Sequence, residues 1–499
     1  MHRTDDRSQP SFFDFNQPIG LHMNPNNRWI RIADIIPWRK YEKKYSSFFK
    51  NDKRVGNISK PFRMALGSML IQQQHYGFSD RELVEQLTEN PYYQYFIGLS
   101  GCQEEAPFDP NLMVYFRKRV NQDILTELNL DILERESRKK ETHKETDNRQ
   151  DPPTDAEGGS ASPEEDTASG EEGNAGTLIL DSTCVPQNIR YPQDFSLINE
   201  AGEKLEQMID IFCETYDFRK PRTYRETARK NYIALAMQRK RSVRKIRRTI
   251  KVQLNFIRRD IKYPDQYMGN DGYAPLFSQQ LLENFLTIRV LYDQQLYMYQ
   301  NHIHSVPDRI VSIAQPYIRP IVRRKAKSPV EFGTKIDFSI DEDGYARLEK
   351  ASFDPYNEGR HLIDACEKFR QRTGHYPERL LMDTIYRNRE NRRYCREHGI
   401  RISGPKLGRY DTTDRLQERK IEYQDNIDRI EVERAFSLAK RCYGLGLIRC
   451  KMPETMMTTI ALSVFAMSLF RIHRRILFLL FGNYQLFKEQ RNLMAFGAA

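Results

Sequence analysis

DNIDRIEVERAFSLAKRCYGLGLIRCK, residues Asp425–Lys451, is the stretch from which the rest of the chain is read. Its core sets Glu433 four residues after Arg429, and Lys440 seven residues after Glu433. At about 100° per residue, Glu433 lies about 40° from Arg429, and Lys440 about 20° from Glu433. All three therefore share one stripe of a helix. Ile430, Ala435, Phe436, Leu438 and Ala439 cover much of the rest. A cation, an acid and a cation beside an apolar surface suit a phosphate-and-metal site. Taken alone, the stripe reads more simply as a solvated face with an i,i+4 ion pair, so the remaining sequence has to decide.

The chain has 499 residues, 39% hydrophobic and 29% charged, which is enough for two to four domains and a large core. A net charge of +11 and a pI near 9.1 favour a polyanionic partner. Cys102, Cys184, Cys213, Cys366, Cys395, Cys442 and Cys450 are scattered with no CxxC pair. They read as reduced thiols of a cytoplasmic protein, not a disulfide frame or zinc cluster. The first residues lack the apolar run of a signal peptide. Met456–Phe470 is apolar but short for a membrane span, and Arg471, His473, Arg474 and Arg475 follow it. A buried terminal helix is expected there, and no membrane association.

Residues 1–27 read as a flexible arm, and 28–135 as a helical N-terminal domain suited to DNA binding. Within it, Ser79 and Glu82 form a capping-box pattern. Asp109 and Pro110 read as N-cap and first residue of a helix whose Arg117, Lys118 and Arg119 form a basic surface. Residues 136–176 read as a disordered linker, because Asp151–Gly176 holds eight acids and no Lys or Arg. The domain after it is expected to span 177–480, followed by a tail, 481–499.

Order returns at Thr177-Leu-Ile-Leu-Asp181, a short apolar strand ending in an acid. A helical insert follows, about 196–328. Its Arg219–Lys262 segment has seventeen Lys or Arg and two acids, a balance of 17 − 2 = +15. Like charges at helical spacing repel, so phosphate contact is the more economical account. Arg239, Lys240, Arg241, Arg244, Lys245, Arg247 and Arg248 lead it, with Arg323, Arg324 and Lys325 as a second cluster. From Pro329 the period changes to two, predicting a hairpin around Asp341–Gly344. A helix, a strand ending at Asp383, a charged helix, a short strand and the Glu433 helix complete the order.

With the insert removed, this is an α/β arrangement of five strands in a mixed sheet with flanking helices. Asp181 and Asp383 would be neighbours at strand ends, where ligands of such sheets bind, and the Glu433 helix would cross the same edge. Each acid alone reads as a cap or turn residue. Three carboxylates without His or Cys partners suit two hard cations, Mg²⁺ or Mn²⁺. Such a pair can activate the attacking oxygen and stabilise the leaving oxygen of a phosphodiester.

LILDSTCVPQNIRYPQDFSLIN, LLMDTIYRNRENRRYCREHGIRISGP and DRIEVERAFSLAKRCYGLGLIRCK resemble the catalytic domain of bacterial insertion-sequence DDE transposases. FDPNLMVYFRKRV resembles the helical domain that precedes it in that group. The resemblance covers most of residues 28–475. It implies an RNase H-like fold and a catalytic, metal-binding triad of Asp181, Asp383 and Glu433, with two Mg²⁺ or Mn²⁺ ions. It also implies that Arg429 and Lys440 contact DNA near the cleaved strand. The implied activity is cleavage at transposon ends and transfer of the freed 3′-hydroxyl into target DNA, by a homodimer in the synaptic complex. The implied setting is cytoplasmic and nucleoid-associated, with no small-molecule substrate. Two departures stand out. Asn426 occupies a position where many relatives have Tyr, and the insert follows the first strand where relatives often carry it after the fifth. Arg190 and Asp194 are near Asp181 in sequence and are candidates to support it, Arg190 also as a DNA contact. The rival readings are a nuclease of the same fold that does not join DNA, and a catalytically silent DNA-binding derivative.

Overall fold

The computed structural model describes residues 11–17, 22–49, 59–75, 77–147, 173–269, 277–322, 329–405 and 415–496. Most of the acidic segment, and Arg323, Arg324 and Lys325, lie outside the described residues. The chain forms two compact units. One comprises Met1–Thr183, Ile336–Ala351 and Asn357–Ala499; the other comprises Cys184–Lys335 and Ser352–Tyr356.

The helices of the N-terminal region are α1 (Arg28–Ile35), α2 (Trp38–Ser46), α3 (Phe62–Gln74), α4 (Asp80–Glu89), α5 (Pro91–Phe96), α6 (Leu112–Arg119) and α7 (Gln122–Asp147). The capping box forms: Ser79 Oγ accepts from Glu82 N at 3.2 Å, and Glu82 Oε2 accepts from Ser79 N at 2.7 Å. At α6 the expected boundary shifts. Asp109 Oδ1 accepts from Asn111 N at 2.8 Å and closes a turn, so the helix starts at Leu112 and not at Pro110. Arg117, expected on a basic surface, is instead bonded to Asp80 and Gln72.

A buried cation organises this helical core. Arg63, 1% exposed, donates to the carbonyls of Phe96 at 3.0 Å and Tyr95 at 2.8 Å. Its guanidinium lies 5.3 Å from the Trp38 ring centroid. Gly98, at φ +86°, leaves room for it: a Cβ there would come within 2.9 Å of Arg63 Cδ.

Past this region come β1 (Thr177–Pro186), α8 (Asp194–Thr215), α9 (Arg225–Ala236), α10 (Val243–Asp260), α11 (Lys262–Gly269), α12 (Gln279–Asn301), β2 (Arg319–Val322), β3 (Val330–Ile340) and β4 (Ala346–Ser352). Then follow α13 (Leu362–Thr373), β5 (Arg379–Met382), α14 (Arg389–Glu397), β6 (Arg401–Ile402), α15 (Arg415–Cys442) and α16 (Pro453–Phe496). The helix α16 contains a segment, Pro453–Ile476, long and apolar enough to cross a membrane, yet 83% of its apolar window is buried within the molecule. It packs on α1, α3, α6 and α7. Trp29 meets Phe470 at 5.9 Å between centroids, and Gln73 Nε2 donates to Ser463 Oγ at 2.8 Å. This helix continues through Phe496, past residue 480 where a tail was expected.

The sheet is mixed, with strand order β2-β3-β1-β5-β6 and β4 paired on β3. It has six strands where five were expected. The extra strand, β2, is four residues long and contains Pro320, so no period-2 pattern marks it; it pairs antiparallel with β3. The β1–β5 pair is parallel, with Leu180 opposite Met382. Side chains alternate between the faces. Leu178, Leu180, Leu380 and Met382 pack with Leu362, Cys366 and Phe369 of α13. Ile179, Leu381 and Ile340 pack with Val432, Ala435 and Phe436 of α15. Each of the large side chains contributes roughly 1.5–3 kcal/mol by leaving water.

The second unit is built on α8, α10 and α12, with Ile198, Leu205, Ile209, Ile250, Leu254, Ile257, Phe285 and Ile288 at its centre. Its excess of positive charge is smaller than the sequence count. Lys220 pairs with Asp210 and Glu214, Arg225 with Glu206 and Asp210, and Arg229 with Glu203, all acids of α8. Lys230 pairs with Glu226, and Arg259 with Asp260.

Candidate active site

The site begins where β5 stops. Asp383 follows Met382 and caps a 3-10 turn, its Oδ1 accepting from Thr384 N at 2.6 Å and Thr384 Oγ1 at 3.3 Å. The strand β1 does not end there. Asp181 was expected at a strand end, but β1 runs on to Pro186. The parallel pairing with β5 ends at Leu180–Met382, and so Asp181 stands beside Asp383 at the edge of that ladder.

Asp181 is part-buried and accepts from Ser182 N at 2.8 Å. Burial pushes its carboxyl up to about 6, the negative charges of Glu358 and Asp383 push the same way, and the Ser182 N–H and Arg429 oppose them. A site that resists ionising its own acid gains from an added cation.

The helix α15 reaches this edge through its own anchors. Asp425, 3% exposed, accepts from Arg401 Nη1 at 2.7 Å and Nη2 at 2.8 Å, and from Arg379 Nη1 at 3.5 Å. One turn on, Arg379 Nη1 lies 2.6 Å from Asp428 Oδ2. Val432 is fully buried against the sheet. With the helix so fixed, Arg429 Nη1 stands 3.7 Å from Asp383 Oδ1, and Lys440 Nζ donates to Thr183 Oγ1 at 2.9 Å. Glu433 lies between them on the helix, exposed, with no hydrogen-bond or ion-pair partner among the described residues. Among those residues no three His, Cys, Asp or Glu side chains converge closely enough to hold a metal ion. Asp181 and Asp383 are thus brought together, whereas Glu433 does not join them among the described residues.

The carboxylates at this edge fit a hard cation in chemistry: the donors are oxygens only, and Arg429 is the cation nearest to them. Sequence reasoning missed Glu358. It opens a 3-10 turn, Glu358–Arg360, held against the segment after Asp383. Gly359 O accepts from Asn391 Nδ2 at 2.6 Å and from Asn388 Nδ2 at 3.3 Å, while Asn391 Nδ2 also reaches Tyr386 O at 2.7 Å. A Cβ on Gly359 would come within 2.8 Å of Ile385 O. In sequence, Asn357-Glu358-Gly359 reads as an ordinary turn, and Asn357 Oδ1 does accept from Gly359 N at 3.0 Å.

Other expected site residues serve the second unit. Arg190 Nη2 donates to Tyr232 Oη at 3.1 Å, and Asp194 accepts from Arg309 Nη2 at 2.6 Å and Gln295 Nε2 at 3.0 Å. Arg241 donates to the carbonyls of Leu235 and Ala236, and Arg247 to that of Tyr299. Arg239, Lys240, Arg244, Lys245 and Arg248 are exposed.

Comparison with known proteins adds two domain matches. Residues 380–470 match the family described as transposase DDE domain, and residues 20–119 match the family described as transposase domain (DUF772). The chain is also similar to the uncharacterized protein ORF8 in the nfe locus of Rhizobium meliloti, 33% identical over 114 residues. That match spans 23% of this chain and 53% of the Rhizobium protein. No solved structure matches the chain at a significant level.

Proposed function

We propose that this chain, carrying a transposase DDE domain and a second transposase domain, is a DNA transposase that cleaves transposon ends and joins them to target DNA. The observation that carries the reading is the Asp181–Asp383 pair, with Arg429 of α15 against it, the latter two within the DDE match. A mixed sheet with acids on adjacent parallel strands suits the RNase H-like arrangement.

Asp181 and Asp383 would hold Mg²⁺ or Mn²⁺, two ions per site, with Glu433 swinging in as the third carboxylate. Divalent ions bound there would supply Lewis-acid stabilisation of the phosphodiester under attack and a lowered pKa for water. Arg429, on leaving Asp383, is positioned to take a phosphate oxygen through its fork of donors. Lys440, tied to Thr183 near the same edge, holds a neighbouring phosphate as a point charge. The 3′-hydroxyl freed at the transposon end then attacks a target phosphodiester in line and displaces the 3′-oxygen of the target strand, which leaves as a hydroxyl, with no bond to protein. Two copies would bring two ends together.

The test is a Mg²⁺-dependent assay on a labelled duplex carrying the element's own ends, with the wild type against Asp383→Ala. Nicked and joined products from the wild type alone support the reading. Nicking without joining makes the protein a nuclease of related chemistry. Binding without cutting by either protein makes it a silent DNA-binding derivative.

A further inference from the structure

Part of the charge left over in the second unit lies on one side of one helix. Arg244, Arg248, Lys251, Asn255 and Arg258 follow one another at steps of four, three, four and three residues along α10, all exposed. At about 100° per residue they stay within about 40° either side of one line, and at 1.5 Å per residue the line is about 21 Å long. None of the four cations has a hydrogen-bond or ion-pair partner among the described residues. Their neighbours differ. Arg247 is turned onto the Tyr299 ring at 4.4 Å and its carbonyl at 2.9 Å, and Arg259 is bound to Asp260 and stacked on Tyr224 at 4.7 Å. Glu203, Glu206, Asp210 and Glu214 of α8 are already taken by Lys220, Arg225 and Arg229.

We propose that Arg244, Arg248, Lys251 and Arg258 form a rail on α10 that binds the phosphate backbone of duplex DNA without reading its sequence. Each side of the helix supports this. The apolar side is consumed, since Ile250, Leu254 and Ile257 lie in the core of the unit, so no face is left to enter a bilayer. The rail itself carries no aromatic ring on which unpaired bases would stack, which disfavours single strands. Four unpaired like charges on one stripe repel one another, and a row of phosphates relieves the repulsion. One duplex strand carries a phosphate about every 3.4 Å along its axis, so a 21 Å rail lies against several.

The inference rests on the transposase reading only for the choice of DNA as partner, and it is tested without catalysis. Full-length protein is titrated onto a mixed-sequence duplex by fluorescence anisotropy, from about 50 to 200 mM salt, without divalent ions. Removing four phosphate contacts reduces the slope of log K against log salt by up to about 3.6. The quadruple variant Arg244→Gln, Arg248→Gln, Lys251→Gln, Arg258→Gln is expected to reduce it by about 2 to 3.6. A control removes four cations that already have acidic partners and lie outside residues 28–135, Arg138, Lys139, Arg289 and Arg393. It is expected to change the slope by less than about 1. An unchanged slope in the rail variant overturns the proposal. So does an equal fall in the control, which would reduce the effect to net charge. Rail-dependent binding to vesicles of anionic lipid, with DNA binding unaltered, overturns it in favour of a membrane surface. A wild type that binds with this salt dependence but never cuts its ends sinks the transposase reading and leaves the rail standing.

Discussion

Arg429 Nη1 stands 3.7 Å from Asp383 Oδ1, so a cation of the chain itself sits where the acids of this edge would hold a metal ion. The pair is partly exposed, the side chains at 31% and 50%, and its own contribution to stability is small, about 0–1 kcal/mol. Its importance lies in competition. Arg429→Gln should bind Mn²⁺ more tightly than wild type without DNA, by roughly 2–10-fold, and yet cleave DNA at least about 10-fold more slowly. Electron paramagnetic resonance titration of Mn²⁺ and a single-turnover cleavage assay check the two arms. Weaker Mn²⁺ binding in the variant would count against the competition.

Asp181 gives a pH signature. Its folded carboxyl titrates near 6, above the ordinary value of 3.8. The folded state therefore binds more protons than the unfolded state between about pH 4 and 6, and stability falls as pH rises through that window. Asp181→Asn removes the loss. It should be more stable than wild type at pH 7.5 by on the order of 1–3 kcal/mol, and about equal near pH 4. Urea unfolding at the two pH values measures this; a difference independent of pH would contradict it.

Asp425 is a structural anchor of α15. It is 3% exposed and faces the guanidinium groups of Arg401 and Arg379. Asp425→Ala strands these cations and should cost about 3–5 kcal/mol. Because Asp425 lies one turn before Arg429, cleavage should fall with stability. A variant of normal thermal stability that still loses cleavage would point to a direct role instead.

Asn391 holds two segments together. It is 1% exposed and donates to the carbonyls of Gly359 and Tyr386. Asn391→Ala removes this donor from both carbonyls, at a cost of about 1–3 kcal/mol, and loosens the turn, so that Glu358 moves away from Asp181. The Asp181 carboxyl should then titrate lower than about 6. Carboxyl chemical shifts followed by NMR against pH report it; Glu358→Gln, which keeps the fold, should produce the same direction.

Much of this protein was legible in the residue order, because the signals are local. The capping box at Ser79, the hairpin around Asp341–Gly344, the left-handed Gly374 that ends α13 at φ +85°, the apolar run that opens β1 and the period-2 run of β3 are each decided by neighbours in sequence. The stripe of Arg429, Glu433 and Lys440 is likewise a consequence of helical spacing. What sequence could not hold is pairing between distant segments. The acids of α8 that neutralise Lys220, Arg225 and Arg229 lie outside the basic run, so a local charge count overstated the surplus. Glu358 approaches Asp181 only because Gly359 has no side chain to keep it from Ile385. Arg429 meets Asp383, and Asp425 is buried, because Val432 and Phe436 seat α15 on one face of the sheet. Strand pairing and helix docking bury apolar area regardless of separation along the chain, and that burial, not any motif, sets which charges meet.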